Sequence, residues 1–295
     1  MKTKYNSGQA ILIVLLSMAV ILTIVLSVLS RSITDISIST QDEDSLRAFS
    51  AAEAGVEKAL IGTVIGSAEL GNANYSFNVS AFAEGEKEFN NSSQLFSGES
   101  LTTWFVAHDS QALSTCSADK PCFTGDTLKV CWGKPGTDAN LSVTPALELV
   151  IFYTPVLGDY SSTLIAREAI DPNSSRRVAN SFSQPDSGNC TISGETYQFQ
   201  KTLNLGDAGI PAGTYNNQNG LQFMIIRSLY NTNESNSIGI SVNFPNNSVL
   251  PSQGMLIDSK GSSGNANRKI EVFNSFREIP EVFEFGVYSQ IGVTK

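Results

Sequence analysis

Histidine is almost absent from the sequence, and this scarcity removes several kinds of chemistry. The single histidine is His108. A histidine-rich metal site or an HExxH metalloprotease helix needs at least two imidazoles, so neither is available. Asp109 follows His108, which leaves a Ser-His-Asp triad formally possible, but no GxSxG turn marks a nucleophile. We interpret His108 as a surface-loop residue and predict that the protein is not an enzyme.

Phosphate-binding loops and a strong positive charge are also missing. Neither GxxxxGK[ST] nor GxGxxG occurs, so ATP or dinucleotide binding has no support. The chain has 28 acidic and 19 basic residues and a net charge of −9, which repels phosphate backbones and predicts no general nucleic-acid binding. A DxDxDG loop is absent, and we interpret Asp258, Asn265 and Asn267 as turn residues rather than calcium ligands. We therefore expect no cofactor and no metal.

Cysteine is scarce, and its spacing excludes CxxC zinc and redox motifs. The candidates for disulfides are Cys116, Cys122, Cys131 and Cys190. Three pairings are possible, and the sequence alone does not choose among them. We favour a local Cys116–Cys122 loop and a longer Cys131–Cys190 link, because an even number of cysteines in an exported domain is typical of disulfides.

No proline occurs before Pro121, so a long uninterrupted helix is possible at the N-terminus. Residues 9–30 read QAILIVLLSMAVILTIVLSVLS, without a charge. As a helix this run spans about 33 Å, enough to cross a bilayer core of about 30 Å. Apolar residues at three- and four-residue intervals continue the pattern to about Val64, which predicts one helix roughly 80 Å long.

Charges around the apolar run predict its orientation in a membrane. Lys2 and Lys4 precede the run, and three acidic residues at 42–44 follow it. The positive-inside rule places the short N-terminus in the cytoplasm and the rest of the chain outside. A secretory signal peptide would have a shorter apolar region and a small-residue cleavage site after it, which this sequence lacks.

Two segments resemble the type IV pilin family, and the PilX-type minor pilins in particular. They are GQAIL at residues 8–12, after the short basic leader, and RAFSAAEAGVE at residues 47–57. The resemblance covers about the first 65 residues. It implies that a prepilin peptidase cuts between Gly8 and Gln9, that the new N-terminus is methylated, and that the helix joins other pilin subunits. It also implies that Phe49, Val56 and Leu60 dock the helix onto a β-domain.

Two positions depart from the usual pilin pattern. Most pilins carry a glutamate at the fifth mature position, where this chain has Ile13. Without that carboxylate, the N-terminal amine of a neighbouring subunit has no ion-pair partner in lipid, and an unpaired charge there is costly in free energy. A subunit of this kind therefore suits an initiating or tip position. Gln9 replaces the usual aromatic first residue, so Gly8 carries the expectation of cleavage.

Beyond Gly66 the sequence changes to short strand-like runs separated by Asn, Gly, Ser and Pro. Examples are TLKVCW (127–132), ALELVIFY (146–153) and FEFGVY (283–288). SKGSSGNAN (259–267) is predicted to be a loop that could tip a hairpin. The fold class is therefore α+β: a long N-terminal transmembrane and amphipathic helix followed by an antiparallel β-rich extracellular domain.

The predicted segments follow this change of pattern along the chain. They are a leader (1–8), a transmembrane helix (9–30), an amphipathic helix (31–66), a loop-rich subregion (67–125) and a β-rich extracellular domain (126–295).

The predicted function is that of a minor type IV pilin-like subunit. It is stored in the cytoplasmic membrane and then assembled into, or initiates, an extracellular filament. The expected partners are other pilin subunits, the prepilin peptidase, the membrane and the pilus assembly machinery. Alternatives are a type II secretion-like pseudopilin, an anchored adhesin that binds a surface ligand, and an ordinary signal-anchored surface protein. An anchored hydrolase is disfavoured.

Overall fold

A computed structural model describes residues 7–91, 93–108, 116–117, 119–242 and 248–278, with side chains from residue 11 onward. The predicted strand at 283–288 and leader residues 1–6 lie outside the described residues.

The described residues form three α-helices, one 3-10 turn and fourteen strands. The helices are α1 (Ser7–Leu60), α2 (Ser174–Asn180) and α3 (Ala212–Tyr215), and the 3-10 turn is Tyr160–Ser162. The strands are β1 (Ile65–Leu70), β2 (Ala73–Ala81), β3 (Glu88–Asn90), β4 (Ser100–Trp104), β5 (Thr127–Trp132), β6 (Ala146–Tyr153), β7 (Leu164–Ile170), β8 (Cys190–Ile192), β9 (Glu195–Tyr197), β10 (Phe199–Asn204), β11 (Leu221–Leu229), β12 (Ile238–Ser241), β13 (Gly254–Ser263) and β14 (Ala266–Ser275). The α+β prediction is confirmed.

The chain divides into two compact units. The stem unit comprises Met1–Val79 and Ile257–Val272, and the large unit comprises Ser80–Leu256 and Phe273–Lys295. The stem unit is discontinuous in sequence, because its second segment, Ile257–Val272, lies between the two segments of the large unit. The boundaries of the predicted 67–125 subregion do not coincide with this division. That subregion was expected to be rich in loops, and it contains nearly all of β1 and all of β2–β4.

The stem unit consists of α1 and a four-stranded sheet in the order β1-β2-β13-β14. The helix stops where glycine permits a left-handed backbone: Gly62 has φ +100°, and its N–H donates to Ala59 O at 3.1 Å. The chain then turns directly into β1, which pairs antiparallel with β2 from Ile65↔Asn78 to Leu70↔Ala73.

The predicted loop at 259–267 is mostly strand, so that prediction is wrong. Residues 259–263 belong to β13 and residues 266–267 to β14, with Gly264 (φ +51°) and Asn265 forming the turn between them. The serines and glycines of this segment imitate a loop in composition. They lie in a strand because a helix packs closely against them, as described below. The expected hairpin is present.

The large unit contains two four-stranded sheets that share one apolar core. Their orders are β10-β5-β12-β3 and β4-β11-β6-β7. The first sheet contributes Leu128, Val130 and Trp132 from β5, and the second contributes alternate residues of β6, Leu147, Leu149 and Ile151. Alternation of buried and less buried residues along a strand is the pattern of an antiparallel sheet with one packed face.

A separate hairpin of β8 and β9 packs beside the first sheet. Cys131 of β5 is bonded to Cys190 of β8, and both cluster with Ile192 and Tyr197. Gly239 of β12 lies beneath this hairpin, where a Cβ atom would come within 2.8 Å of the Tyr197 ring. The covalent link and the close aromatic contact both hold the hairpin against the first sheet.

Candidate functional site: the N-terminal stem

The first half of α1 is apolar on every side and contacts no other part of the described chain. Its large side chains from Ile11 to Leu29 are all exposed, including Ile13 at 63%. A large apolar side chain left in water forgoes about 1.5–3 kcal/mol. This helix is long and apolar enough to span a membrane. Lipid or the apolar side chains of other helices must therefore cover it.

Two polar side chains inside this apolar run, Ser17 and Thr23, are satisfied by the helix itself. Ser17 Oγ donates to Val14 O at 2.9 Å, and Thr23 Oγ1 donates to Val20 O at 2.8 Å. A hydroxyl without a hydrogen-bond partner would be costly in hydrocarbon, whereas these two hydroxyls bond to backbone carbonyls of their own helix. The run is thus compatible with lipid despite its hydroxyl groups.

The second half of α1 docks onto the sheet of its own unit through small residues. Ala48, Ala51 and Ala52 are completely buried, and Gly55 and Ala59 continue the same face of the helix. We call these five residues the inner face. Their spacing of three and four residues places them on one side of the helix.

The strand opposite the inner face, β13, also presents small residues to the helix. A Cβ atom on Gly261 would lie 1.9 Å from Ala48 O, so only glycine fits there. Ser259 Oγ donates to Ala52 O at 2.7 Å, which ties the strand to the helix backbone. Small residues on both elements permit an approach that large side chains would prevent.

Polar contacts mark where docking begins along the helix. Ser263 Oγ donates to Asp44 Oδ1 at 3.1 Å, and Arg268 Nε donates to Ser45 Oγ at 3.1 Å. Residues 11–43 are all exposed. The stem therefore has a docked part that starts at Asp44 and an undocked part that precedes it.

Two of the residues expected to dock the helix do not do so. Phe49 is 45% exposed and Leu60 is 53% exposed, whereas Val56 is partly buried at the edge of the docked cluster. Large side chains would hold the helix away from the sheet, so the alanines and glycine take that position instead. The signal that identifies them was present in the AFSAAEAGVE segment, as small residues at helical spacing.

Gly8 and Gln9, the predicted cleavage residues, lie in the first turn of α1. Their side chains are outside the described part of the chain, and cleavage between them remains a prediction.

Both favoured disulfides are present. Cys116 is bonded to Cys122, with a Cα–Cα distance of 5.4 Å, and Cys131 is bonded to Cys190, with a Cα–Cα distance of 6.0 Å. No free cysteine remains among the four.

His108 is not a simple loop residue. Its ring stacks on Phe276 with centroids 4.1 Å apart and meets the edge of Trp104 at 4.5 Å. This aromatic cluster adjoins the buried Cys122. The ring contacts of His108 in the described structure are therefore aromatic packing.

Arg176 and Asp258 are both engaged in internal contacts. Arg176 makes an ion pair with the buried Asp171 at 2.7 Å and lies over the Tyr230 ring at 4.1 Å. Asp258 pairs with Lys269 at 2.7 Å. In the described ranges no three His, Cys, Asp or Glu side chains converge as metal ligands would.

A shallow groove in the described structure is lined mainly by polar and charged residues. It has a volume of about 600 Å³ on the stem sheet and is lined by residues such as Ser67, Asn74, Lys260 and Lys269. These side chains offer hydrogen bonds and positive charge, but they do not form a nucleophile and base pair. The exposed stem is the more distinctive surface.

Comparison with known proteins returned nothing: no protein-family model, no curated protein and no solved structure matches this chain.

Proposed function

We propose that the chain is a structural subunit of pilin type, stored in a membrane through α1 and assembled into a surface filament by packing of that helix. One observation carries the proposal. A single 54-residue helix is uncovered and apolar in its first half and docked on a β-sheet in its second half. Such a helix can pass from lipid to a bundle of similar helices without refolding, because both environments are apolar.

The direction of insertion follows from charge. Lys2 and Lys4 keep the N-terminus in the cytoplasm, and the β-rich units lie outside. Cleavage after Gly8 by a prepilin peptidase then releases the subunit for assembly, and methylation of Gln9 accompanies it in this family.

An initiating or tip position suits the subunit better than the filament shaft. The proposed mature chain has Ile13 at its fifth position and no carboxylate between Ile11 and Ser30. A carboxylate at that position would form an ion pair with the N-terminal amine of a neighbouring subunit. Without it, the amine of that neighbour would be an unpaired charge in lipid. This role is structural rather than catalytic, and a type II secretion-like pseudopilin is the nearest alternative.

Mass spectrometry of the N-terminal peptide tests the proposal directly. The peptide should begin at Gln9 in both membranes and sheared surface material. A Gly8→Leu variant should remain uncut and absent from sheared filaments, because the peptidase of this family reads the glycine. The neighbouring Ser7→Leu variant is the control and should still be processed.

An intact Met1, or a cut beyond Leu29, would instead indicate an ordinary anchored or secreted surface protein. Unchanged filaments in the Gly8→Leu variant would also contradict the assembly mechanism. An adhesin would keep its membrane anchor in either case and would be recognised by binding of the intact protein to host or abiotic surfaces.

A further inference from the structure

The connection between β6 and β7 concentrates exposed apolar side chains in the large unit. Five of them, each about half exposed, lie close together in sequence: Val156, Leu157, Tyr160, Leu164 and Ile165. We call these five residues the loop patch. In the rest of the described large unit, the exposed large apolar side chains are isolated in sequence: Phe96, Leu141, Val178 and Met255. A concentration of this kind is typical of a contact surface.

Several polar groups of this connection are satisfied within it. Asp159 N–H donates to Val156 O at 3.0 Å and closes a turn, and Asp159 Oδ1 accepts from Ser161 N–H at 3.0 Å. Ser162 Oγ donates to Asp159 O at 2.7 Å, and Thr163 Oγ1 donates to another carbonyl of the same connection at 2.7 Å. Because these groups are already paired, the connection can enter surroundings that are poor in water at a low cost in free energy.

Charge does not select the partner of the loop patch. Asp159 is the only charged residue between Glu148 and Arg167. An anionic polymer would find no positive charge here, and a basic partner would find one carboxylate that already accepts hydrogen bonds from Ser161. The partner is therefore expected to be apolar rather than oppositely charged.

The size of the loop patch argues against a stable protein partner. Five half-exposed side chains of these types present roughly 500 Å², which is the size of the largest apolar patch on many monomers. A stable protein–protein interface buries about 800 Å² on each partner. Addition of a partner strand to β7 is also restricted, because Ser183 bonds to that edge. Its N–H donates to Ala169 O at 2.7 Å, and its carbonyl accepts from Asp171 N–H at 2.9 Å.

A lipid bilayer satisfies these constraints. Its surface needs no complementary shape, and aliphatic side chains together with tyrosine are suited to the boundary between headgroups and acyl chains. In the proposed function, the apolar run of α1 already holds the chain in its own membrane far more strongly than five side chains can. The loop patch therefore changes binding only at a bilayer that does not contain α1.

We propose that the loop patch is a second, weaker membrane-binding site, which inserts Val156, Leu157 and Tyr160 into the interface of a neutral phospholipid bilayer other than the one that holds α1. Leu164 and Ile165, at the start of β7, complete the contact. The choice of that bilayer rests on the proposed function, whereas lipid as the partner follows from the loop patch alone.

Flotation of the full-length protein tests this proposal. The protein is held in lipid nanodiscs through α1, and phosphatidylcholine vesicles are then added. Because the disc covers α1, only a further contact can join disc and vesicle. We expect wild-type discs to float with the vesicles, and the combined variant Val156→Ser, Leu157→Ser and Tyr160→Ser to lower the floated fraction at least fivefold. The matched control combines Leu141→Ser and Val178→Ser, which replace exposed apolar side chains of the same unit and should float like wild type.

The same assay can contradict the proposal. Equal flotation of the patch variant and wild type, or flotation of wild-type discs no greater than that of empty discs, would overturn it. Both variants should keep the wild-type unfolding temperature, because the replaced side chains are exposed, so a loss of flotation would not reflect a loss of folding. Flotation should change little between low and high salt, and a steep decrease with salt would indicate electrostatic binding instead.

A fluorescent label locates the contact. Because all four natural cysteines are in disulfides, Leu157→Cys supplies a single thiol for a dye whose emission depends on polarity. Its emission should shift to the blue when vesicles are added, whereas the same dye on Val178→Cys should not respond. A blue shift in discs before vesicles are added would overturn the choice of bilayer. A shift that instead grows with protein concentration would overturn lipid as the partner and identify a second copy of the chain.

The two proposals fail in different measurements. An uncut N-terminus or absence from filaments would remove the proposed function, and the lipid contact would still be judged by flotation. A processed filament subunit whose discs do not float with vesicles would retain the proposed function and remove the lipid contact.

Discussion

At the scale of single residues, the stem depends on the absence of side chains. Gly261 and Ala48 meet at a distance that leaves no room for a Cβ atom. Glycine in a strand normally weakens it, since glycine has no side chain to pack and loses more entropy on ordering. Here its use is explained by the helix backbone that approaches it.

Gly261→Ala should therefore destabilise the stem unit by about 1–3 kcal/mol, the usual cost of overpacking. Hydrogen exchange of the amides around Ala52 should speed up, while amides of the large unit stay protected. Gly213→Ala is the matched control, because nothing lies within 4 Å of a Cβ at Gly213. Equal protection in both variants would mean that the helix does not lie where the structure places it.

Tyr197 is the residue whose titration reports on the hairpin of β8 and β9. Burial raises the pKa of its phenol, and the negative charge of Glu195 raises it further. Its hydroxyl donates to Asn90 Oδ1 at 3.0 Å. Because the folded pKa lies above the unfolded value of about 10, the stabilising contribution is complete below pH ~10 and is lost as pH rises through the folded pKa.

The phenolate absorbance of Tyr197, obtained as the difference between wild type and Tyr197→Phe, should thus appear only at strongly alkaline pH. Glu195→Gln should move that titration to lower pH, since the neighbouring charge is removed. A Tyr197 titration at its ordinary pKa would show that the hairpin does not cover the ring.

At the scale of elements, the predictions from sequence succeeded where periodicity was strong. TLKVCW and ALELVIFY are β5 and β6 with the predicted bounds, because alternating apolar residues face a shared core. The loop prediction at 259–267 failed because strand propensity largely reflects the packing of large side chains. This strand packs on a helix at a short distance that only small residues such as glycine and serine permit. The inner face was not predicted either, because its alanines and glycine lack the large apolar side chains that usually mark the packed face of a helix.

The two disulfides should differ in their contribution to stability. The link between Cys131 and Cys190 closes a separation of 59 residues, and that between Cys116 and Cys122 a separation of 6. Chain-entropy arguments assign about 4 kcal/mol to the longer loop and about 2 kcal/mol to the shorter. Serine replacement of each pair, followed by denaturant unfolding, should reproduce that order, and equal losses would contradict the entropic explanation.

At the scale of the whole molecule, α1 has two parts with different requirements. Residues 11–43 need a cover from outside the described chain, and residues from Asp44 onward have their own sheet. The fold class and the membrane-spanning length could be predicted from sequence, since both follow from long-range patterns. The membership of β13 and β14 in the stem could not, because no local pattern links residue 261 to residue 48.

A chain without residues 1–43 should consequently be soluble and folded, whereas a chain without residues 1–58 should lose the stem unit. The first cut removes only uncovered helix, and the second removes most of the inner face. Size-exclusion chromatography and circular dichroism would distinguish the two. Aggregation of the chain without residues 1–43 would show that the stem unit needs the apolar run to fold.

The discontinuity of the stem unit has a consequence for biosynthesis. The inner face is translated early, but β13, whose Ser259 and Gly261 pack against it, comes only after all residues between Ala81 and Gly254 have been made. At typical translation rates this interval is roughly ten to thirty seconds. A chain that stops short of the last hairpin therefore leaves part of its alanine face uncovered, so only chains that include this hairpin complete the stem unit.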